Sequence, residues 1–184
     1  MRKVILNLAL TLDGFIEGPN GELDWLVRDG KIDFGDVLTE ILEDKDIIFY
    51  GRKSYDKWGN FQPDDQASQK LKDAYRLLNS KQKYVLSNTM TSNDDVIVVG
   101  SGDTWEKVNA LKQEQGKNIW LYGGASAVTT FLNLDLVDEL RLAIHPVIIG
   151  QGKPLFQDIE KRHKLKLTDV KGHNSGVLLV CYQA

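Results

Sequence analysis

The sequence predicts an α/β protein, a three-layer α/β/α sandwich on a mixed, mostly parallel sheet with antiparallel C-terminal strands. As far as residue 133, short apolar runs alternate with amphipathic helical patterns, which is typical of parallel strands joined by helices on both faces of a sheet. After that point strand-like segments follow one another without a helix, which favours antiparallel pairing. With 184 residues, 42% hydrophobic and 27% charged, the chain suits one well-filled domain, expected to span residues 1–184.

The first half of the chain begins with a strand pattern and a glycine-rich loop. The strand is predicted over 4–12, and the turn-forming residues of 13–25 indicate a long loop of the kind that often carries function. Apolar residues at helical spacing between 34 and 42 predict a helix, with Asp33 positioned to cap its first turn. The further elements predicted here are a strand at 46–50, helices starting near 52 and 67, and a strand at 83–87.

In the second half of the chain, predicted strands and helices continue to alternate as far as residue 133, and only strands follow. A strand is predicted at 96–100, followed by a helix in which Asp103 and Glu106 match a capping box and which ends at Gly116. The segment NIWLYGGASAVTTFLN (118–133) combines a buried strand, two glycines and an amphipathic helix. The last three predicted strands lie in ELRLAIHPVIIG, KLKLTDV and GVLLVCY, and they form the antiparallel part of the sheet.

Composition argues against several classes of protein. The formal net charge of −3 disfavours a nucleic-acid surface but leaves room for a small anionic ligand held by a local cluster of cations. The single cysteine, Cys181, cannot form an internal disulfide and indicates a reducing, cytoplasmic compartment. Asn7 interrupts the N-terminal apolar run, which predicts a strand rather than a signal peptide, and no run has the length of a membrane span. The three histidines show no metal-ligand spacing, so no metal site is expected.

Two joins between a strand and a helix share a feature that suits an anion. YGRKS (50–54) and YGGAS (122–126) each place glycine after an apolar strand and small or cationic groups on the first helical turn. LSNT (86–89) clusters hydroxyl and amide groups at the end of another strand. If the first two strands are neighbours, one dinucleotide can bridge both helix starts. Each segment alone is equally consistent with a tight, well-packed turn.

The order of these segments resembles the dihydrofolate-reductase-like superfamily. The chain is most similar to the C-terminal reductase domain of bacterial riboflavin-biosynthesis bifunctional deaminase-reductases and to its stand-alone relatives. The resemblance covers nearly the whole chain, and its segments are LTLDGFIEGPNGELDW, YGRKSYD, YVLSNT, LYGGASAVTTFL and LVDELRLAIHPVIIGQGKPLF.

The resemblance implies NADPH as the cofactor. The residues that would hold its pyrophosphate are Gly123, Gly124, Ala125, Ser126 and Ala127. Those matching the adenosine side are Gly51, Arg52, Lys53, Ser54, Leu86, Ser87 and Asn88, with Arg52 the partner of the 2′-phosphate. Ala9 and Ile16 match positions beside the nicotinamide carboxamide, and loop 13–25 matches a mobile loop over the ring.

The substrate side departs from the family pattern. The riboflavin reductases usually carry a cation after Leu-Asp-Gly of the first loop, where this chain has Phe15. The resemblance therefore does not extend to a binding site for a ribose phosphate. One cysteine cannot build the zinc site of the fused deaminase. Two carboxylates are candidates for catalysis, Asp13 in the loop and Asp33 at the helix start, although either can instead satisfy backbone N–H groups. Trp25 is expected either to stack on a flat substrate or to fill the core.

The resemblance implies an NADPH-dependent reductase of a small heterocyclic or ribosyl-pyrimidine-like substrate, of the 5-amino-6-(5-phosphoribosylamino)uracil reductase type. The alternatives are a pterin- or dihydrofolate-type reductase and a catalytically silent NADPH-binding protein. We expect a homodimer, because the C-terminal strands supply exposed edges and relatives often pair, and we expect neither nucleic acid nor membrane as partner.

Overall fold

The computed structural model of the chain describes residues 1–27, 30 and 33–184. Its strands are β1 (Val4–Thr11), β2 (Phe15–Glu17), β3 (Lys45–Gly51), β4 (Gln82–Leu86), β5 (Val96–Val99), β6 (Asn118–Gly123), β7 (Glu139–His145), β8 (Lys153–Pro154), β9 (Lys166–Gly172) and β10 (Leu178–Gln183). Its helices are α1 (Phe34–Glu43), α2 (Arg52–Trp58), α3 (Gln69–Asn79), α4 (Thr104–Gln113) and α5 (Ala125–Asn133). None of the helices in these ranges is long and apolar enough to cross a membrane.

Eight of the strands form one sheet, in the order β5-β4-β3-β6-β1-β7-β10-β9. The six strands from β5 to β7 are parallel, and β10 runs antiparallel to both β7 and β9. The predicted mixed, mostly parallel sheet is therefore confirmed. The first of the three strands expected in the antiparallel part, β7, also pairs parallel with β1, because α5 returns the chain across the sheet after β6. The antiparallel pairs of the eight-stranded sheet are β7–β10 and β10–β9.

Helices cover both faces of the sheet, as a three-layer sandwich requires. On one face α1, α2 and α3 pack against β3, β4 and β6 around a core that includes the fully buried Leu42 and Tyr50. On the other face α4 and α5 cover a second core that includes Val108 and Phe131. The carboxyl ends of the parallel strands consequently meet at one edge, between the two helical layers.

Strands β2 and β8 form a separate two-stranded sheet that the sequence patterns do not reveal. Phe15 pairs with Pro154 and Glu17 with Lys153. Runs of three and two residues are too short for alternation of polar and apolar residues to be visible. The small sheet fixes the beginning of the glycine-rich loop beside the chain that follows β7.

The two predicted helix caps have different outcomes. Asp33 caps α1 as predicted, because its extended backbone lets Oδ1 accept a hydrogen bond from the Gly35 N–H at 2.7 Å. The prediction of a capping box at Asp103 is wrong, although α4 does begin at the next residue. Asp103 already has helical backbone angles (φ −99°, ψ −3°), so its side chain caps none of the described amides of α4. Its own N–H instead bonds to the Gly100 carbonyl in a turn, at 3.1 Å.

Candidate functional site

The three segments singled out in the sequence meet at the carboxyl edge of the sheet. Strand β3 lies between β4 and β6, so that Gly51 is in register with Leu86 and Tyr50 with Gly123. The condition under which one dinucleotide could bridge the starts of α2 and α5 is therefore met. This adjacency comes from the strand order, and no local sequence pattern encodes it.

The glycines at these joins serve two distinct steric purposes. Gly51 has an ordinary φ of −73°, but a Cβ there would lie 3.3 Å from the Ala127 Cβ and 3.4 Å from the Gly123 carbonyl oxygen. Gly51 thus allows α5 to approach β3 closely. Gly123 and Gly124 have φ of 107° and 45°, which side chains disfavour, and a Cβ on Gly124 would lie 2.8 Å from the Ser54 Oγ. The glycine pair is required by the fold whether or not a ligand binds.

A cavity of about 160 Å³ lies where these strands end. It is lined by Gly51, Leu86, Ser87, Asn88, Ser101, Thr104, Ser126, Ala127 and Thr130. Six of these residues belong to the cofactor set that the resemblance implied. Ser101, Thr104 and Thr130 were missed; the sequence offered the hydroxyl cluster around Asp103, which was interpreted only as a helix start.

We call this first cavity the adenosine-side cavity, after the half of NADPH expected to bind there. Its polar groups are held by a short hydrogen-bond network. Asn88 accepts a hydrogen bond from the Ser101 N–H at 2.9 Å through Oδ1 and donates one to the Ser101 Oγ at 3.1 Å through Nδ2. The Ser87 Oγ accepts from the N–H groups of Thr89 and Met90, at 3.2 and 3.0 Å. The Ser87 Oγ also lies 3.4 Å from the Thr89 Oγ1, and either hydroxyl can donate to the other. The turn is thereby ordered, and its two neighbouring hydroxyl groups line one side of the segment that follows β4.

The two cations that open α2 differ in their surroundings. The Arg52 Nε donates to both carboxylate oxygens of Asp56, at 2.8 Å each. Lys53 is exposed and has no hydrogen-bond or ion-pair partner among the residues that the structure describes. Arg52 is therefore already paired with a carboxylate, whereas Lys53 has no such partner within the described ranges.

A second, more open cavity of about 480 Å³ lies between the glycine-rich loop and the segment 151–157. Its lining includes Glu17 and Lys153, whose charged groups are 3.8 Å apart. Gln157 also lines it and accepts a hydrogen bond from the Thr129 Oγ1 of α5, at 2.8 Å. Ser126 and Thr130 of the same helix line the first cavity, so α5 contacts residues that line each of the two cavities.

The model of the RibD C-terminal domain matches residues 2–179. The chain belongs to the RibD C-terminal domain family. Two relatives from Bacillus subtilis (strain 168), the uncharacterized proteins YyaP and YwjB, are 49% and 31% identical to it. The alignments cover 98% of this chain and 94% of YyaP, and 97% of this chain and 96% of YwjB.

Solved structures show the same architecture. A protein of Shewanella sp. PV-4, described as a candidate riboflavin biosynthesis protein, is 28% identical with a TM-score of 0.75, over 98% of both chains. The Thermotoga maritima diaminohydroxyphosphoribosylaminopyrimidine deaminase/5-amino-6-(5-phosphoribosylamino)uracil reductase is 20% identical with a TM-score of 0.68. That match covers 99% of this chain and 56% of the Thermotoga protein. The fold is thus the dihydrofolate reductase-like fold of RibD reductase domains.

Asp13 connects two loops of this RibD-type domain. Its carboxylate accepts hydrogen bonds from the Thr11 Oγ1 at 2.6 Å and from the N–H groups of Ile149 and Gly150, at 3.2 and 2.8 Å. The hydrogen bond from Thr11, followed by those from the two amides, holds the pKa of Asp13 below its ordinary value. Asp13 is therefore a carboxylate that accepts hydrogen bonds, and it ties the glycine-rich loop to the loop after β7.

Asp33 and Trp25 occupy structural positions. Hydrogen bonds from Ser68 and from the Gly35 N–H lower the pKa of Asp33, in keeping with its role as the cap of α1. Trp25 is buried, and its ring meets that of His145 edge to face with centroids 5.4 Å apart. These contacts give both side chains a structural role. Catalysis by Asp33 and stacking of a substrate on Trp25 remain predictions.

The two residues expected beside the nicotinamide lie on adjoining strands. Ala9 is half-buried on β1, in register with Ala143 of β7, and Ile16 is half-buried on β2. Neither lines the two cavities described above. No cluster of three or more side chains suited to a metal ion occurs in residues 1–27, 30 and 33–184.

Proposed function

We propose that the protein is an NADPH-dependent reductase of a small heterocyclic or ribosyl-pyrimidine-like substrate, of the 5-amino-6-(5-phosphoribosylamino)uracil reductase type. The observation that carries the proposal is the meeting of three polar strand ends around one cavity, beside the N-terminus of α5. Membership of the RibD C-terminal domain family and the reductase activity in the name of the Thermotoga neighbour support it.

The described residues fit the cofactor. The first cavity offers Ser87 and Asn88 to the adenosine, and Gly51 forms part of its wall where the nucleotide would cross β3. The first intrahelical bonds of α5 are donated by Ala127 and Val128 to the Gly124 carbonyl, at 3.0 and 3.1 Å. The preceding N–H groups therefore remain for a pyrophosphate, and the helix dipole favours its charge. The nicotinamide half would extend toward Ala9 of β1 and Ile16 of β2, both of which are half-buried.

The chain itself supplies positioning more than acid or base chemistry. NADPH would provide the hydride for a C=N or C=O bond. The loop held by Asp13 covers the end of β1 and would exclude water from that point. Because its pKa is lowered, Asp13 would accept a hydrogen bond from a substrate N–H rather than deliver a proton.

Binding and turnover measured together test this proposal. NADPH is titrated by fluorescence, and its oxidation is followed by absorbance with a panel that includes ribosylaminouracils, pterins and simple imines. Binding with oxidation of a pyrimidine substrate is the expected result. Oxidation with dihydrofolate alone would favour the pterin-type alternative, and absence of NADPH binding would contradict the proposal.

A catalytically silent NADPH-binding protein is the second candidate. Two observations favour it: Phe15 replaces the usual cation of the first loop, and both candidate carboxylates are engaged by backbone amides. Tight NADPH binding without oxidation of any member of the panel would select this candidate over the reductase.

We also propose that the protein pairs with a second copy through β9. All seven residues of this edge strand are exposed, and the apolar Leu167 and Val170 are each more than half exposed. Antiparallel pairing of two copies about Val170 places Asp169 of one opposite Lys171 of the other, twice. The edge is thus complementary in charge to itself, as a two-fold interface requires.

A further inference from the structure

An ion pair on α2 lies at the start of the proposed cofactor site. The Arg52 Nε donates to both oxygens of Asp56, four residues later, with the two side chains 44% and 51% exposed. The two terminal nitrogens of the guanidinium have no hydrogen-bond partner among the described residues. Arg52 therefore has one edge held by a carboxylate and another edge free to bind an anion.

Arg52 is the neighbour in the chain of a residue that lines the adenosine-side cavity. Arg52 follows Gly51, which lines the cavity, and two residues later the Ser54 Oγ approaches Gly124. The 2′-phosphate of NADPH is the one anionic group that distinguishes it from NADH. If Arg52 binds this phosphate, the guanidinium contacts two negative groups, the phosphate and the carboxylate of Asp56.

Electrostatics determines the sign of the effect. An exposed pair four residues apart on a helix is weak, so a phosphate can take the free nitrogens without displacing Asp56. The carboxylate nevertheless neutralises part of the positive charge that Arg52 presents to a phosphate. This loss of attraction weakens the binding of NADPH, and it leaves NADH nearly unaffected because NADH has no 2′-phosphate.

We propose that Asp56 determines cofactor specificity: by holding Arg52 it weakens the contact with the 2′-phosphate and keeps the preference for NADPH over NADH below what Arg52 alone would produce. This inference rests on the proposed function, since it presupposes that NADPH binds in the cavity beside Gly51. It assigns to Asp56 a role that acts through Arg52 and not by contact with the ligand.

The test measures dissociation constants for NADPH, NADH, 2′,5′-ADP and 5′-ADP in the parent, Asp56→Asn, Arg52→Ala and the double variant. Arg52→Ala should weaken NADPH about tenfold and leave NADH nearly unchanged. Asp56→Asn should tighten NADPH and 2′,5′-ADP by about threefold or more at low salt, with NADH and 5′-ADP unchanged. In the Arg52→Ala background the gain should vanish.

A matched control is available on α3. The exposed pair of Asp73 and Arg76, with 2.7 Å between its charged atoms, is of the same kind but lies outside both cavities. Asp73→Asn should therefore change no dissociation constant.

The possible failures are distinct. If neither NADPH nor NADH binds the parent, the proposed function itself is wrong. If NADPH binds but Asp56→Asn leaves the NADPH to NADH ratio unchanged, or lowers it, the inference about Asp56 is wrong while the cofactor site stands. A gain that persists without Arg52 would also overturn it, because Asp56 would then act on the phosphate directly.

Discussion

Single residues at the strand ends show how the same amino acid serves different needs. Gly51 is needed for space, because a Cβ there would crowd Ala127, whereas Gly124 is needed for its backbone angle. The sequence alone placed Gly124 against the pyrophosphate and Gly51 on the adenosine side. On that basis, substitution of Gly124 would be expected to reduce cofactor affinity before it reduces stability. The φ of 45° revises that expectation, since a side chain at Gly124 strains the fold as well.

We predict that Gly124→Ala lowers the free energy of unfolding by about 1–3 kcal/mol, because alanine disfavours this backbone conformation and its Cβ would meet the Ser54 Oγ. Urea unfolding without ligand measures the loss. Gly102→Ala is the control, since a Cβ at Gly102 meets nothing within 4 Å and should leave stability unchanged. A Gly124→Ala variant as stable as the parent would contradict the strained geometry.

We predict that Asp13→Asn destabilises the protein at neutral pH and that the difference from the parent disappears in acid. The folded pKa of Asp13 is lowered, so its contribution is present above the ordinary value of 3.8 and is lost as pH falls through the folded pKa. Thermal midpoints measured from pH 7 downward test this. A constant difference at every pH would show that ionised Asp13 is not what holds the two loops together.

At the scale of elements, the first turn of helix α5 is buried except for one exposed residue, Ser126, at the positive end of the helix dipole. No acidic residue occupies that turn, and Ser126 is exposed beside the adenosine-side cavity. A carboxylate there would stabilise the helix, because negative charge is favourable at a helix N-terminus. The same charge would repel a pyrophosphate, so stability and binding should move in opposite directions.

We predict that Ser126→Asp keeps or raises the thermal midpoint while weakening NADPH and 5′-ADP by about tenfold or more. Ser126→Asn, which is uncharged and similar in size, is the control and should bind nearly as the parent does. Calorimetry of the unliganded and titrated protein gives both quantities. Parent-like affinity in the aspartate variant would place the pyrophosphate elsewhere.

The elements that the sequence predicted are those with clear periodicity. Strands and helices of four residues or more were found because alternation and helical spacing extend over their length. Strands β2 and β8 were missed because so few residues show no period. Asp103 misled the prediction because a capping residue is recognised by type, whereas its backbone angles decide whether it caps.

At the scale of the whole molecule, the candidate site depends on strand order. The sequence identified Ser87, Asn88 and the glycine joins, but it could not show that β3 lies between β4 and β6. That adjacency follows from how the helical layers cover the sheet, which no local pattern records. Ser101 and Thr104 follow β5 in the chain, and they line the cavity because β5 pairs with β4.

We predict that the parent is a dimer in sedimentation and that Val170→Lys shifts it to monomer, because two like charges would meet on the two-fold axis. Asp169→Lys should weaken the dimer, and the charge-exchanged Asp169→Lys/Lys171→Asp variant should restore it. NADPH binding, measured on the same samples, should be unaffected. A monomeric parent, or a dimer indifferent to Val170→Lys, would exclude this edge as the interface.

The position of β1 has a consequence for how the chain is made. Strand β1 is synthesised before the other strands described here, yet its two neighbours in the sheet are β6 and β7, which begin at Asn118 and Glu139. At a synthesis rate of roughly 5–20 residues per second, β1 remains unpaired for several seconds before either partner strand has been made. Folding during synthesis cannot complete the sheet before more than half of the chain exists. Until then nascent β1 is an apolar strand without a partner, a state that is prone to aggregation.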